Sequence, residues 1–275
     1  MNNSVNIGKK MDPIVKALLI GIDYKIFNVS VCKYINNINM IKKYIKKNLD
    51  AEKKNVQILT NESEIIPTKY NIFKSFDELA SNLKIDKKYK IIIYYSGSGK
   101  LVNNYLNFKG NSDVFIIPYD YQQNGIITKK DFYSRFIKKV QKNSNLQINI
   151  LLDCCYSNNG FVLKYNYTID DIKSLYNGKY TVTYYKTEKN FNATVIILSG
   201  YNNLNSNNTF LYKYSCNLTK FLIQLCESYN SSQNKITLYK IFSRLRTLLN
   251  SGHYYQIPKI SSNKYINLKN VHNFL

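Results

Sequence analysis

What most constrains this chain is a set of apolar runs that neither alternate nor last long enough to be helices. Residues 90–95 (KIIIYY) and 193–199 (ATVIILS) are of this kind, and residues 148–152 (INILL) form a third that ends on Asp153-Cys154-Cys155. A strand made from such a run is buried on both faces, as in a parallel sheet covered by helices. Further strand candidates lie at 16–23 (KALLIGID), 55–60 (NVQILT), 113–118 (DVFIIP) and 264–268. Between them, apolar residues recur at helical spacing over 34–49 (Ile35, Ile38, Ile41, Tyr44, Ile45) and over 68–83 (Ile72, Phe73, Phe76, Leu79, Leu83). More helices are predicted at 128–140, with Thr128 as N-cap, and at 218–227 and 238–249. Alternating strands and helices predict an α/β fold, with a mostly parallel central sheet and helices on both faces.

No internal repeat and no linker rich in Pro or Gly divides the 275 residues, a length at which one domain buries a sizeable core. Residues 1–15 read as an N-terminal extension and 16–275 as a single domain. Within it, residues 160–190 are polar and Tyr-rich, with an alternating patch at 180–185, and are expected to be an exposed insertion carrying a hairpin. No apolar run is long enough to span a membrane, and the N-terminal apolar patch lacks a small-residue cleavage site. A cytoplasmic protein without membrane contact is therefore expected. Five cysteines, Cys32, Cys154, Cys155, Cys216 and Cys226, are odd in number, irregular in spacing and include an adjacent pair. That pattern excludes a disulfide framework and a CxxC zinc site, and fits a reducing compartment.

The net charge of +22 suggests attraction to anionic partners. Its lysines are scattered, however, Arg is scarce, and Arg is the preferred residue for bidentate contacts to phosphates and bases. Lys, Asn, Ile and Tyr, all abundant here, also share codons rich in A and T. Nucleic-acid association is therefore expected to be weak and non-specific.

In open α/β sheets, reactive groups gather beyond the carboxyl ends of the strands, so a Cys just after residues 148–152 is a candidate nucleophile. Taken alone, it is equally a buried, inert thiol. Its neighbour Asp153 reads equally as a structural acid, and Ser96-Gly97-Ser98-Gly99 as an ordinary tight turn. Their order along the chain adds more: KALLIGID, NVQILT, PTKYNI, IIIYYSGSG, IIPYD, ILLDCCYS, VIILSG and, from Gln256, QIPKISS. This succession resembles the metacaspases of the caspase-like cysteine peptidases, whose pattern runs KALLIGINY, LT…PT…NI, YSGHG, P-x-D, DSCHSG, ILSG and QxPxLSS. The resemblance covers residues 16–268. It implies a caspase-like three-layer sandwich, of the kind divided into p20-type and p10-type parts, with a catalytic dyad on loops after two neighbouring strands. By the same resemblance Cys155 is the nucleophile, and Asp153, Ser96 and Asn37 occupy positions of an acidic pocket for a substrate Arg or Lys. Gly97 and Gly99 match the turn glycines, near which a backbone N–H helps form the oxyanion hole.

The departures are as informative. The histidine of YSGHG is Ser98 here, and a hydroxyl neither takes a proton near neutral pH nor returns one to a leaving amine. A thiol of pKa about 8.5 is only a few per cent thiolate at pH 7. Losing the histidine of a comparable serine enzyme costs on the order of 10⁶ in kcat. The two histidines present, His253 and His272, lie far along the chain, and His253 is read as a surface residue. After the nucleophile, HSG has become Tyr156-Ser157-Asn158, and the family's N-D appears as Asn36-Asn37, which removes an acid from the pocket. The family's G-x-I-x-D-D-E-L is residues 125–132, with Lys129 and Lys130 in place of two carboxylates. Many members bind calcium through acids of this region. Calcium needs several oxygen ligands, so its site is predicted lost and no metal or cofactor is expected.

The expected function is that of a metacaspase-like pseudopeptidase, impaired by the loss at Ser98. Its expected partner is a protein or peptide, an active caspase-like relative being one candidate. The alternative is an active cysteine endopeptidase cleaving after Arg or Lys, with Cys155 as nucleophile and an unconventional base.

Overall fold

A computed structural model describes residues 12–26, 29–30, 34–81, 83–97, 114–154, 163–169, 177–186, 191–202, 217–231, 236–251, 256–270 and 274–275. Its centre is an eight-stranded sheet built on the non-alternating runs. Five strands are parallel: β1 (Ile14–Gly21), β4 (Val56–Thr60), β5 (Tyr89–Gly97), β8 (Leu146–Cys154) and β11 (Thr194–Asn202). Three more extend one side with antiparallel pairing: β12 (Gln256–Ser262), β9 (Tyr165–Thr168) and β10 (Thr181–Tyr184). The order is β10-β9-β12-β11-β8-β5-β1-β4. Two short ribbons stand apart, β2 (Lys25–Ile26) with β3 (Val29–Ser30), and β6 (Val114–Ile116) with β7 (Ile127–Thr128).

Because side chains alternate along a strand, each inner strand feeds two cores. Leu19, Tyr94, Leu151 and Leu198 face α1 (Tyr34–Asn48), α6 (Leu218–Ser231) and α7 (Leu238–Ser251). Leu18, Ile93, Ile150 and Ile197 face α2 (Lys69–Ser81) and the helical stretch after Thr128. Short α3 (Tyr121–Asn124) precedes that stretch, which comprises α4 (Lys129–Phe132), a π turn (Tyr133–Ile137) and α5 (Lys138–Val140). The molecule is thus a three-layer α/β sandwich. No helix among the described residues is long and apolar enough to cross a membrane.

Local chemistry sets the helix starts. Thr128 and Asp131 form a capping box: Thr128 Oγ1 accepts from the Asp131 amide at 3.1 Å, and Asp131 Oδ2 accepts from the Thr128 amide at 2.9 Å. At α2, Thr68 Oγ1 accepts from the amide of Asn71, and Asp120 Oδ1 takes the amide of Lys69 at 2.8 Å. Asp120 is the acid of the P-x-D match, so here its carboxylate closes a helix N-terminus, where negative charge is favoured.

Two expectations need correction. The last strand is Gln256–Ser262, not residues 264–268. Pro258 and Lys259 hide it from an apolar-run search, yet Ile260 pairs with Leu198 and is buried. Residues 160–190 are not wholly an exposed insertion either. Among those described, β9 pairs with β12 and buries Asn166 and Tyr167, so the hairpin extends the main sheet and only β10 is largely exposed.

Candidate active site

The carboxyl ends of β5 and β8 lie side by side, with Ser96 opposite Asp153 and Gly97 opposite Cys154. Ser98 and Cys155 follow directly in the chain, and both lie outside the described residues, as do Gly99, His253 and His272. Cys154 is buried in the core on the α2 side of the sheet, so it is no exposed nucleophile. Gly97 has a packing reason to be glycine: an added Cβ would lie 2.6 Å from the Tyr95 hydroxyl. That hydroxyl is held by Tyr24 at 3.1 Å and by the amide of Ile117 at 3.4 Å.

The three pocket residues named from the sequence do converge. Asn37 Nδ2 donates both to Ser96 Oγ and to Asp153 Oδ2, each at 3.2 Å. Gly21 permits this approach of α1 to the sheet, because a Cβ there would fall 2.5 Å from Ile38 Cγ1. Two further residues complete the cluster. Thr219, at the start of α6, donates to Asp153 Oδ2 through its amide at 3.1 Å and its hydroxyl at 2.6 Å. Gln256, at the start of β12, donates to Asp153 Oδ1 at 3.2 Å. Since the Thr219 proton points at the carboxylate, the Tyr94 hydroxyl, 2.7 Å away, is the donor to Thr219 Oγ1. Sequence reasoning reached Gln256 only as the head of a motif, and Thr219 carried no signal beyond lying before a helical run.

Asp153 is fully buried. Burial raises its pKa, while the bonds from Thr219 and Gln256 pull the other way. The α6 N-terminus also favours the anion. A carboxylate offers about four acceptor sites, and four protein donors already point at this one. All four are neutral. Among the described residues, no group of three or more His, Cys, Asp or Glu side chains gathers as a metal site.

A three-layer α/β sandwich whose adjacent strands end on Ser96-Gly97 and Asp153-Cys154 is a scaffold of the caspase-like class. The chain belongs to the metacaspase family: the model of the metacaspase peptidase C14 domain matches residues 15–164. Metacaspase III c of Phaeodactylum tricornutum is 29% identical over 161 residues, 56% of this chain and 46% of that protein. Metacaspase-1 of Eremothecium gossypii is 26% identical over 57% of this chain and 35% of its own length. The chain thus spans less than half of these curated relatives. A protein named inactive metacaspase-4, from Trypanosoma brucei brucei, is 23% identical over 92% of this chain and 73% of that protein. The crystal structure of a protein from Geobacter sulfurreducens shares the fold, with a TM-score of 0.56 and 13% identity over 93% of this chain and 95% of that one.

Proposed function

We propose that this chain is a pseudopeptidase: a metacaspase domain that keeps the fold for binding a protein or peptide, with its proteolytic chemistry impaired. One observation carries the reading. Gly97 and Cys154, the last residues of adjacent strands, are paired, and in the sequence the residue that follows Gly97, where the family's motif has its histidine, is Ser98. Without an imidazole, neither thiolate formation nor protonation of the leaving amine is assisted. The pocket supports the same reading. Asp153, Ser96 and Asn37 are joined to one another, and the acid's acceptor sites are taken up by the protein's own donors instead of being presented to a basic substrate side chain. Calcium is not required, because Lys129 and Lys130 replace two acids and Asp131 is engaged in the capping box. The relative named as inactive is consistent with loss of activity within the family. A cytoplasmic location fits the five cysteines and the lack of a disulfide pattern.

The test is turnover of Arg- and Lys-ended fluorogenic peptides, with and without calcium, against Cys155→Ala. No turnover above that variant is expected. Activity abolished by Cys155→Ala would sink the proposal in favour of an active endopeptidase using an unconventional base. Ser98→His is expected to gain cleavage after basic residues, because it returns the missing base.

A further inference from the structure

Away from the dyad, the antiparallel side of the sheet ends in a surface that the peptidase reading does not use. Tyr184 on β10 lies opposite Tyr165 on β9. Tyr165 also meets Tyr265, just beyond β12; both neighbouring rings stand edge-on to it, with centroids 5.8 Å away at 68° and 77°. The central ring is partly buried against the core, while Tyr184 and Tyr265 are 59% and 60% exposed. Lys164 holds its ammonium 5.7 Å from the Tyr165 centroid and 5.6 Å from that of Tyr184. The next residues on β10's side, Tyr185 and Lys186, are exposed as well.

Charge reinforces the pattern. Residues 163–169, 177–186 and 256–270 carry one, two and three lysines respectively, and not one Asp or Glu. The acids nearest in the chain, Asp170, Asp171 and Glu188, lie outside the described residues. Large exposed aromatic rings on a strand edge are costly to solubility unless something stacks on them. Rings interleaved with ammonium groups suit a ligand with flat π-faces joined by anions. A duplex hides its base faces, and an acidic peptide has nothing flat to lay on a tyrosine. Single-stranded nucleic acid has both parts, and sheet-borne aromatics that stack bases are a recurrent way of binding it.

We propose that the Tyr165–Tyr184–Tyr265 platform, with Lys164, binds single-stranded nucleic acid without sequence preference. Bases stack on Tyr184 and Tyr265, and Lys164 neutralises a backbone phosphate beside them. This places the weak, salt-sensitive association expected from the net charge at one surface and adds a stacking component to it. It is independent of the peptidase reading.

The experiment is fluorescence anisotropy of a labelled 15-residue oligothymidylate, with a heparin fragment and a poly-glutamate peptide as charge-only ligands. Binding on the order of 10⁻⁵ M at low salt is expected, weakening about tenfold or more between 50 and 200 mM salt. Tyr184→Ala with Tyr265→Ala should weaken the oligonucleotide about tenfold or more, at the lower end of base-on-aromatic stacking, and leave heparin unchanged. Tyr184→Phe with Tyr265→Phe should bind as the parent does, and Lys164→Gln should reduce the salt slope by about one. An independent readout is photo-crosslinking of a bromouracil oligonucleotide, expected at the peptides containing Tyr184 or Tyr265. Equal losses for heparin and oligonucleotide, no loss in the double alanine variant, or crosslinks confined to other surfaces would each overturn the proposal.

Discussion

Replacing Asn37 with Asp tests what holds the buried acid in place. The Asn37 amide gives one hydrogen to Ser96 Oγ and one to Asp153 Oδ2, both at 3.2 Å, inside a site where Asp153 is wholly buried. Asn37→Asp removes both donors and sets a second carboxyl about where the amide stood. A hydrogen bond to a charged acceptor contributes about 1.5–3 kcal/mol and one to a neutral hydroxyl about 1. Two carboxylates at such range do not both ionise, so one stays protonated at further cost. A loss of about 3–5 kcal/mol at pH 8 is expected, comparable to removing one partner of a buried pair. The variant's carboxyl pair takes up its proton more readily folded than unfolded, so its folded pKa lies above the unfolded value of about 3.9. The stability is then fully present below about pH 4 and is lost as pH rises through the raised value. Urea unfolding at pH 4.5 and pH 8 measures this, the deficit being smaller at the first, where one protonated carboxyl still donates to the other and only the bond to Ser96 is lost, and full at the second. Adding benzamidine at pH 8 should recover part of it, because an amidinium supplies the missing donors and positive charge. An Asn37→Asp protein as stable as the parent at pH 8, or a deficit independent of pH, would refute the reasoning.

Other outcomes follow from single sites. Burial of Lys90 lowers its pKa from 10.5 to about 8. Keeping the ammonium charged therefore costs up to about 3 kcal/mol at 1.36 kcal/mol per pKa step. Because the folded value is depressed, the Lys90 contribution to stability should rise from pH 8 to pH 10.5 and fall as pH drops through 8, read as the difference between parent and Lys90→Met. Lys90→Met should lose that dependence and be more stable at pH 7, as paired denaturant titrations across the range would show. Thr128→Ala removes the side-chain half of the capping box, leaving the bond from its backbone amide to Asp131, and should cost about 1 kcal/mol in the same assay. Phe132→Ala opens a cavity among Phe115, Phe76 and Phe136, whose ring centroids lie 4.4, 5.1 and 5.6 Å away, and should cost about 3–5 kcal/mol.

The parallel strands and flanking helices were legible because burial on two faces and helical spacing each leave a local mark. The helix over 34–49 was found to within a residue of Tyr34–Asn48, and the one over 68–83 to within two residues of Lys69–Ser81. The strand at Gln256–Ser262 was missed because Pro258 and Lys259 interrupt it, and its pairing with β11 and β9 is decided by tertiary contact. The cluster around Asp153 was half legible. Asn37, Ser96 and Asp153 came from motif positions, but that Asn37 bridges the other two is a matter of how closely α1 meets the sheet at Gly21. Thr219 was out of reach because any helix start tolerates a threonine, and only the fold places this one beside a buried acid.

The placement of Asp153's donors along the chain has a consequence for how the site comes into being. Asn37 lies 116 residues before it, Thr219 66 residues after it, and Gln256 103 residues after it. A ribosome that has released all five parallel strands has still not delivered Gln256, so the acid's last donor arrives only when β12 slots between β11 and β9. Severing the backbone between β8 and α6 leaves the acid and Asn37 in one fragment and Thr219 and Gln256 in the other. The two pieces are therefore held together by a shared carboxylate as well as by the sheet.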